Sequence, residues 1–358
     1  MMLRALQLAE KGLYSTSPNP RVGCVIVSPE GHIVGESYHR RAGEAHAEVL
    51  ALAEAGDKAK GACAYVSLEP CSHTGRTGPC SDALINAGIN EVVYAMEDPN
   101  PEVSGQGIER LRDAGITVRG PVQESAALEL NKGFCKRMQR NLPWVRCKLA
   151  MSLDGRTAMA DGSSKWVTGP AARADVQYLR ARSCAVITGV GTVTHDNPNL
   201  NVRLPDTERQ PMRIVVDSQL RTPLHAELFK LPGRIVVACA ADASEGKEFP
   251  LNNVETWSLG NKDNSAVDLR RLLQLLAERE QCNEVMIEAG AGLAGAFLAT
   301  GLVDELIIYM AAKLMGKDAR PLFDISINSM AGCLPMSIQD IRAVGHDWRI
   351  TALPDPEG

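Results

Sequence analysis

The stretches AHAEVLALAEAG (45–56) and YVSLEPCSHTGRTGPCSDALINAG (65–88) decide how the first part of this chain is read. The first has the spacing of a helix and closes on Gly56. The second runs from a strand through a Gly/Pro-rich loop into another helix. His46 falls at one helix start, Cys71 at the strand end and Cys80 at the second helix start. Zinc takes nitrogen and thiolate ligands in a tetrahedron, so these three residues would hold the ion and leave a fourth position for water. The metal lowers the pKa of that water toward neutrality, while two thiolates offset its charge. The positive ends of the helix dipoles favour thiolate there. Glu48 sits on the same helical turn as His46, so it can reach the water without binding the metal, and its role is to move protons. A closed structural site with His73 as fourth ligand is the competing reading, but it has no use for Glu48 or Pro70. A lone cysteine or histidine would be a core residue.

Around this constellation the chain alternates strand and helix signals. RVGCVIVS (21–28) and HIVGESYH (32–39) read as paired strands about a Pro29-Glu30-Gly31 turn. Strands at 62–69, 91–96 and 116–120 alternate with helices at 45–56, 81–88 and 107–115. This pattern predicts parallel βαβ units with helices on both faces of a sheet. The amphipathic start (Leu3, Leu6, Leu8, Ala9) and residues 124–140 add further helices, and Asn141-Leu142-Pro143 is the candidate linker. The expected domains are therefore 1–143 and 144–358.

A second alternation follows, with strands at 144–152, 184–189, 211–218, 234–240, 283–290 and 305–311. Helices are expected at 169–183, 268–280 and 293–301, and the C-terminus is less patterned. Gly290-Ala291-Gly292-Leu293-Ala294-Gly295 reads G-x-G-x-x-G between a strand and a helix, the context in which amides and a helix N-terminus hold a pyrophosphate. A plain Rossmann domain puts this motif on its first strand with an acid about twenty residues on. Here it comes after most of the strands, and that reading fails.

With 358 residues the chain exceeds what one core usually serves. Its 45% apolar and 23% charged residues and formal net charge of −5 carry no basic surplus for nucleic acid. No apolar run approaches the length of a membrane span, and the N-terminal residues do not read as a signal peptide. The ten cysteines are scattered and mostly lie in apolar runs, as expected of reduced thiols in a cytoplasmic protein. The oligomeric state stays open, a homo-oligomer included.

His-x-Glu followed by Pro-Cys and a further Cys is the signature of the zinc deaminases, in which the glutamate passes protons to a ring nitrogen and the departing amine. Eight residues separate the cysteines here, where the general form has two. PNPRVGCVIV (18–27), HAEVLAL (46–52), LEPCSHTGRTGPC (68–80) and DPNPEVSGQGIERL (98–111) resemble the bifunctional deaminase/reductase family of riboflavin biosynthesis. NKGFCKRM (131–138), KLAMSLDGRTA (148–158) and EAGAGLAGAFL (288–298) carry the resemblance over nearly the whole chain.

The resemblance implies a cytidine-deaminase-like three-layer α/β/α domain followed by a dihydrofolate-reductase-like α/β domain. It implies zinc in the first and NADPH in the second. The substrate would be a small molecule, 2,5-diamino-6-ribosylamino-4(3H)-pyrimidinone 5′-phosphate, deaminated and then reduced to a ribityl chain. Asn19, His73 and Asn100 become candidate contacts to base and ribose, and His73 and Arg76, in the polar loop between the cysteines, candidate contacts to phosphate. The NADP contacts would be Ala150, Trp166, Thr192, Asp196, Ser218, Gly290, Ala291, Gly292, Leu293, Ala294, Gly295 and Ala296. The substrate contacts of the second domain would be Ser164, Arg180, Leu200, Arg203 and Glu288. Lys148 is expected at the ribose end, and Asp196 beside the proton transfer that accompanies the hydride. The two arginines suit a phosphomonoester. A nucleic-acid deaminase of the tRNA type with an accessory domain is the alternative, and it needs a basic groove that this composition does not offer.

Overall fold

The computed structural model describes residues 1–72, 78–101, 103–205, 207, 209–240, 254–260 and 266–355. The chain divides into two compact units, Met1–Leu142 and Pro143–Gly358. Among the described residues no helix is long and apolar enough to cross a membrane.

The first unit runs α1 (Met2–Glu10), β1 (Gly23–Val27), β2 (Ile33–Tyr38), α2 (Ala47–Ala55), β3 (Cys63–Val66), α3 (Cys80–Asn86), β4 (Glu91–Tyr94), α4 (Gln106–Asp113), β5 (Thr117–Arg119) and α5 (Glu124–Arg140). The sheet order is β2-β1-β3-β4-β5. The expected parallel pairing holds for β3, β4 and β5, but β1 is antiparallel to both β2 and β3. The reason is topological. The crossover through α2 passes over β1, so β3 runs with β2 and against the strand between them.

Two glycines show how the layers close on this sheet. A Cβ on Gly23 would stand 2.0 Å from the Ala5 carbonyl oxygen of α1, and one on Gly35 would stand 2.2 Å from that of Ala51 in α2. Gly35 pairs with Ile26, three residues from Gly23 on β1, so the two glycines point to opposite faces. Helices therefore cover both sides, and Val25, Ile26, Ala51, Ala64 and Leu84 are among the core residues with no exposure. The layering is the three-layer α/β/α arrangement expected above.

The second unit runs β6 (Trp144–Ser152), β7 (Arg156–Ala158), α6 (Pro170–Arg182), β8 (Ala185–Gly189), α7 (Val190–Asp196), β9 (Met212–Val216), β10 (Ile235–Cys239), β11 (Val254–Ser258), α8 (Leu269–Glu278), β12 (Glu284–Ile287), α9 (Ala291–Ala299), β13 (Glu305–Ala311), β14 (Arg320–Pro321), β15 (Met336–Val344) and β16 (Asp347–Pro354). Its nine-stranded sheet has the order β11-β10-β9-β8-β12-β6-β13-β16-β15. The strands from β11 to β13 pair in parallel, and β16 and β15 close the edge antiparallel. Sequence patterning missed α7, β11, the short β7–β14 pair and the C-terminal hairpin. Most of β15 is exposed, and alternation is imposed only where one face of a strand is buried.

The buried strands carry an ion network at their N-terminal ends. Arg146, 1% exposed, donates to Glu284 at 3.1 Å and to Glu305 at 2.9 Å. Arg182 and Trp144 bind the same two carboxylates. The opposite, C-terminal ends of the parallel strands are where an open α/β sheet presents ligands.

Candidate active sites

In the first unit, His46 is the N-cap of α2 and Cys80 is the first residue of α3, while Cys71 follows β3 by way of Glu69-Pro70. Their ligand atoms all lie within 4.8 Å of one another. His46 Nδ1 is 3.1 Å from Cys80 Sγ and 3.6 Å from Cys71 Sγ, so Nδ1 is the ring nitrogen on offer to a metal. The Cys80 amide donates to Cys71 Sγ at 3.3 Å, and the Ser81 hydroxyl donates to the Cys71 carbonyl. The hydrogen bond from Cys80 pulls the Cys71 thiol down to about 4 against the cost of burial, and His46 adds to the pull. Cys80 is pushed up by that same shared hydrogen bond and by burial. A dication bound by both sulfurs would hold both as thiolates.

Glu48, in the first turn of α2, is 3% exposed. Its Oε2 is buried with no hydrogen-bond partner among the described residues. Burial, reinforced by the charge of Cys71, raises its pKa to about 7. An orphaned carboxylate oxygen beside three convergent ligand atoms fits a site that holds a metal and a water. His39 stands edge-on to His46 with ring centroids 5.3 Å apart. Its Nδ1 lies 3.2 Å from the Ala45 carbonyl, which only accepts, so Nδ1 carries the proton and Nε2 accepts from Asn19 Nδ2 at 3.0 Å. The Asn19 carboxamide is thereby oriented, with Oδ1 left for other donors. His73 and Arg76 lie outside the described residues.

In the second unit a cavity of about 1350 Å³ opens at the C-terminal ends of the parallel strands. Ligand pockets commonly hold roughly 300–1,000 Å³, so this one has room for a dinucleotide and a second ligand. Two strand-to-helix turns line it, Gly189–Thr192 at the start of α7 and Gly290–Gly292 at the start of α9. The Gly290 amide donates to Thr192 Oγ1 at 3.2 Å and ties the turns together. Ala150, Trp166, Asp196, Ser218, Ala291, Leu293 and Ala296 also line the space. Ala294 and Gly295 do not: Ala294 is fully buried, and a Cβ on Gly295 would lie 2.6 Å from the Asp324 carbonyl. The last glycine of the motif serves helix packing.

The remaining wall holds Lys148, Ser164, Arg180, Leu200, Arg203 and Glu288. Arg180 grips Glu288 with two hydrogen bonds, at 3.0 and 2.8 Å, and gives a third to the Asn201 carbonyl. Lys148 Nζ is 3.6 Å from the same carboxylate. Burial alone would raise Glu288, but Arg180 and Lys148 outweigh it and hold the carboxyl down to about 2. Among the described residues Arg203 forms no ion pair, and its guanidinium donates to Asn201 Oδ1 at 3.2 Å. Burial first, then the like charge of Arg180, lowers its pKa, a strain that an anion would relieve. Ser164 donates to Asp196 Oδ1 at 2.7 Å, and Trp166 is 63% exposed with Arg173 stacked 4.4 Å from its ring.

Sequence reasoning missed Gln177, whose Oε1 accepts from the Arg203 amide at 3.0 Å, and it missed Arg173 and Arg320 on the cavity wall. The signal for Gln177 was a buried polar position on the inner face of α6.

These geometries define a class first: a deaminase with a zinc-binding corner joined in one chain to an α/β reductase. Residues 1–96 match the family model of the cytidine and deoxycytidylate deaminase zinc-binding region, and residues 143–350 match that of the RibD C-terminal domain. The riboflavin biosynthesis protein RibD of Escherichia coli (strain K12) is 50% identical over 360 residues, covering 97% of this chain and 96% of that protein. RibD of Haemophilus influenzae is 44% identical, with 99% and 96% covered. The structure of Acinetobacter baumannii RibD superposes with a TM-score of 0.91 at 45% identity, covering 99% of this chain and 98% of that one. The diaminohydroxyphosphoribosylaminopyrimidine deaminase/5-amino-6-(5-phosphoribosylamino)uracil reductase of Thermotoga maritima gives 0.89 at 33% identity, with 99% and 97% covered. The chain belongs to the RibD family, the bifunctional deaminase/reductases of riboflavin biosynthesis.

Proposed function

We propose that the first unit deaminates 2,5-diamino-6-ribosylamino-4(3H)-pyrimidinone 5′-phosphate and that the second reduces the ribosyl group of the product to ribityl with NADPH. The observation that carries the first half is the buried, unpartnered Glu48 oxygen beside His46, Cys71 and Cys80. Zinc, when bound by those three residues, would supply an acidified water. Glu48 would pass the first proton of that water to the ring nitrogen, then the second, from the hydroxyl newly formed on the ring carbon, to the departing amine. Asn19 meets a polar edge of the pyrimidine through its oriented carboxamide.

In the second unit the Gly189 and Gly290 turns cradle the dinucleotide phosphates, and the hydride chemistry belongs to that cofactor. Arg180 is committed to Glu288, so of the two arginines Arg203 takes the substrate phosphate. Asp196, hydrogen-bonded to Ser164, would support the proton transfer to the opened sugar as hydride reaches its C1′. The net charge of −5 and the match to the RibD family favour this small-molecule reading over a nucleic-acid deaminase. Among the described residues no cysteine is in a disulfide, which supports a cytoplasmic location.

Replacing Glu48 by Gln tests the first half. The variant should retain zinc by metal analysis while ammonia release falls by about 10²–10⁴-fold, the usual worth of a general acid–base group. Ammonia release at the unsubstituted rate with zinc retained would overturn the assignment.

A further inference from the structure

We propose that Glu69 is a positioning residue of the deamination site: its carboxylate fastens residues 98–101 and 105–108, with Asn100, onto the strand end that carries Cys71. The proposal rests on reading the first unit as the pyrimidine deaminase. Glu69 is 4% exposed and two residues from the candidate ligand Cys71, and its carboxylate accepts from backbone amides rather than from the ligand side chains. Its Oε2 accepts from the amides of Asp98 at 3.1 Å and Gly105 at 3.0 Å. Its Oε1 accepts from the amides of Gly107 at 2.9 Å and Ile108 at 3.3 Å. Both ends of one loop are thus fastened to a single side chain.

Within that loop the backbone of Asn100 is fixed from both directions. Its amide donates to Asp98 Oδ1 at 2.9 Å, and its carbonyl accepts from Val103 and Ser104 at 3.0 and 2.9 Å. A second observation shows how closely the loop is seated. A Cβ on Gly107 would lie 1.9 Å from the carbonyl oxygen of Pro70, the residue between Glu69 and Cys71. Farther along α4, Arg110 donates to Asp82 of α3 at 2.8 Å, and α3 opens with Cys80. The segment is therefore braced against the elements that carry two of the three metal ligands.

The residue type follows from the donors. All four are backbone N–H groups, and a carboxylate offers acceptors on both oxygens and no donor. Glutamine, of the same length, would turn an NH₂ group against two of those amides. The loop would open on that side, and Asn100 would lose its register with the metal corner.

The full-length Glu69→Gln variant tests this with the diamino-pyrimidinone phosphate as probe. Its zinc content, and its NADPH oxidation on the deaminated compound, should match those of the unsubstituted chain. The KM for deamination should rise about ten- to a hundredfold, the worth of charge-assisted hydrogen bonds lost from one side, with kcat changing less. Asn100→Ala should raise KM in the same way, and the double variant should be no worse than Asn100→Ala alone. An unchanged KM in Glu69→Gln, or effects that simply multiply in the double variant, would overturn the proposal. Hydrogen exchange on the unsubstituted chain gives a check that does not depend on the variant folding. The amides of Asp98, Gly105, Gly107 and Ile108 should be protected, more so with the deaminated product bound, and unprotected amides there would also overturn it. If the unsubstituted chain releases no ammonia from this compound, the functional reading falls and the proposal with it. Ammonia release by Glu69→Gln at the unsubstituted KM removes the proposal alone.

Discussion

The metal corner of the first unit and the cavity of the second solve the problem of holding a reactive centre in opposite ways. The corner is compact: His46, Glu48, Cys71 and Cys80 come from within thirty-five residues, and each meets the centre from a helix start or a strand end. The cavity is dispersed, with walls drawn from Lys148 to Asp324. Its central ion pair joins Arg180 to Glu288 across 108 positions of sequence. A corner needs only a few directional bonds to one ion. A cavity for two large ligands needs surface from many strand ends.

Removing the metal should break the comparison most sharply. Dialysis of the whole chain against a zinc chelator is expected to abolish ammonia release while leaving NADPH oxidation on the deaminated compound intact, and zinc should restore the loss. Loss of both activities together would mean that the two centres are not separate.

Arg203→Ala should act on the other side of the comparison and less severely. Removing a charge-assisted pair with phosphate costs about 1.5–3 kcal/mol, read as a KM for the second reaction raised roughly ten- to a hundredfold. Deamination should not change. Steady-state kinetics with separate ammonia and NADPH readouts decides it, and an unaltered KM would return the phosphate to another residue.

The smallest effect expected is one of pH. Glu288 is held near 2 in the folded chain, below its ordinary value, so its ion pairs contribute fully above about pH 4.3, the value of a free glutamate. That contribution is lost as pH falls through the folded pKa near 2. All four tryptophans lie beyond Pro143, so their fluorescence follows the second unit alone. The urea midpoint should fall between pH 4 and 2, and Arg180→Met should move that fall to higher pH. An identical pH profile in the variant would show that Arg180 does not set the Glu288 pKa.

One device recurs in both units. Glu69 fastens a loop beside Cys71, and Asp154 does the same at the end of β6, accepting from the Ser152 hydroxyl at 2.5 Å and from the Met315 and Gly316 amides at 3.1 and 2.8 Å. Asp217 binds the amide and hydroxyl of Thr222 below Ser218. In each case a buried or half-buried carboxylate at a strand end collects backbone donors that the loop cannot satisfy itself.

How much of this could be read beforehand follows from the range of the forces involved. The amphipathic helices, the buried strands β6, β8, β9, β10, β12 and β13, and the metal corner were legible, because hydrophobic period and ligand chemistry act within a few residues. The edge strand β15 was not, since a mostly exposed strand carries no alternation to detect. The G-x-G-x-x-G motif was half legible. Gly290 and Gly292 face the cavity, while Gly295 is small because Asp324 packs on it from 29 residues away.

By itself the sequence offered, at His46, Glu48, Cys71 and Cys80, residue types suited to meeting a metal and a moving proton. It did not decide that β1 opposes β3, that Arg180 closes on Glu288 and leaves Arg203 for an anion, or that Glu69 gathers four amides from a loop thirty residues on. Those pairings are chosen only when strands and helices pack, because a buried charge or amide takes whichever partner the fold brings within hydrogen-bond reach.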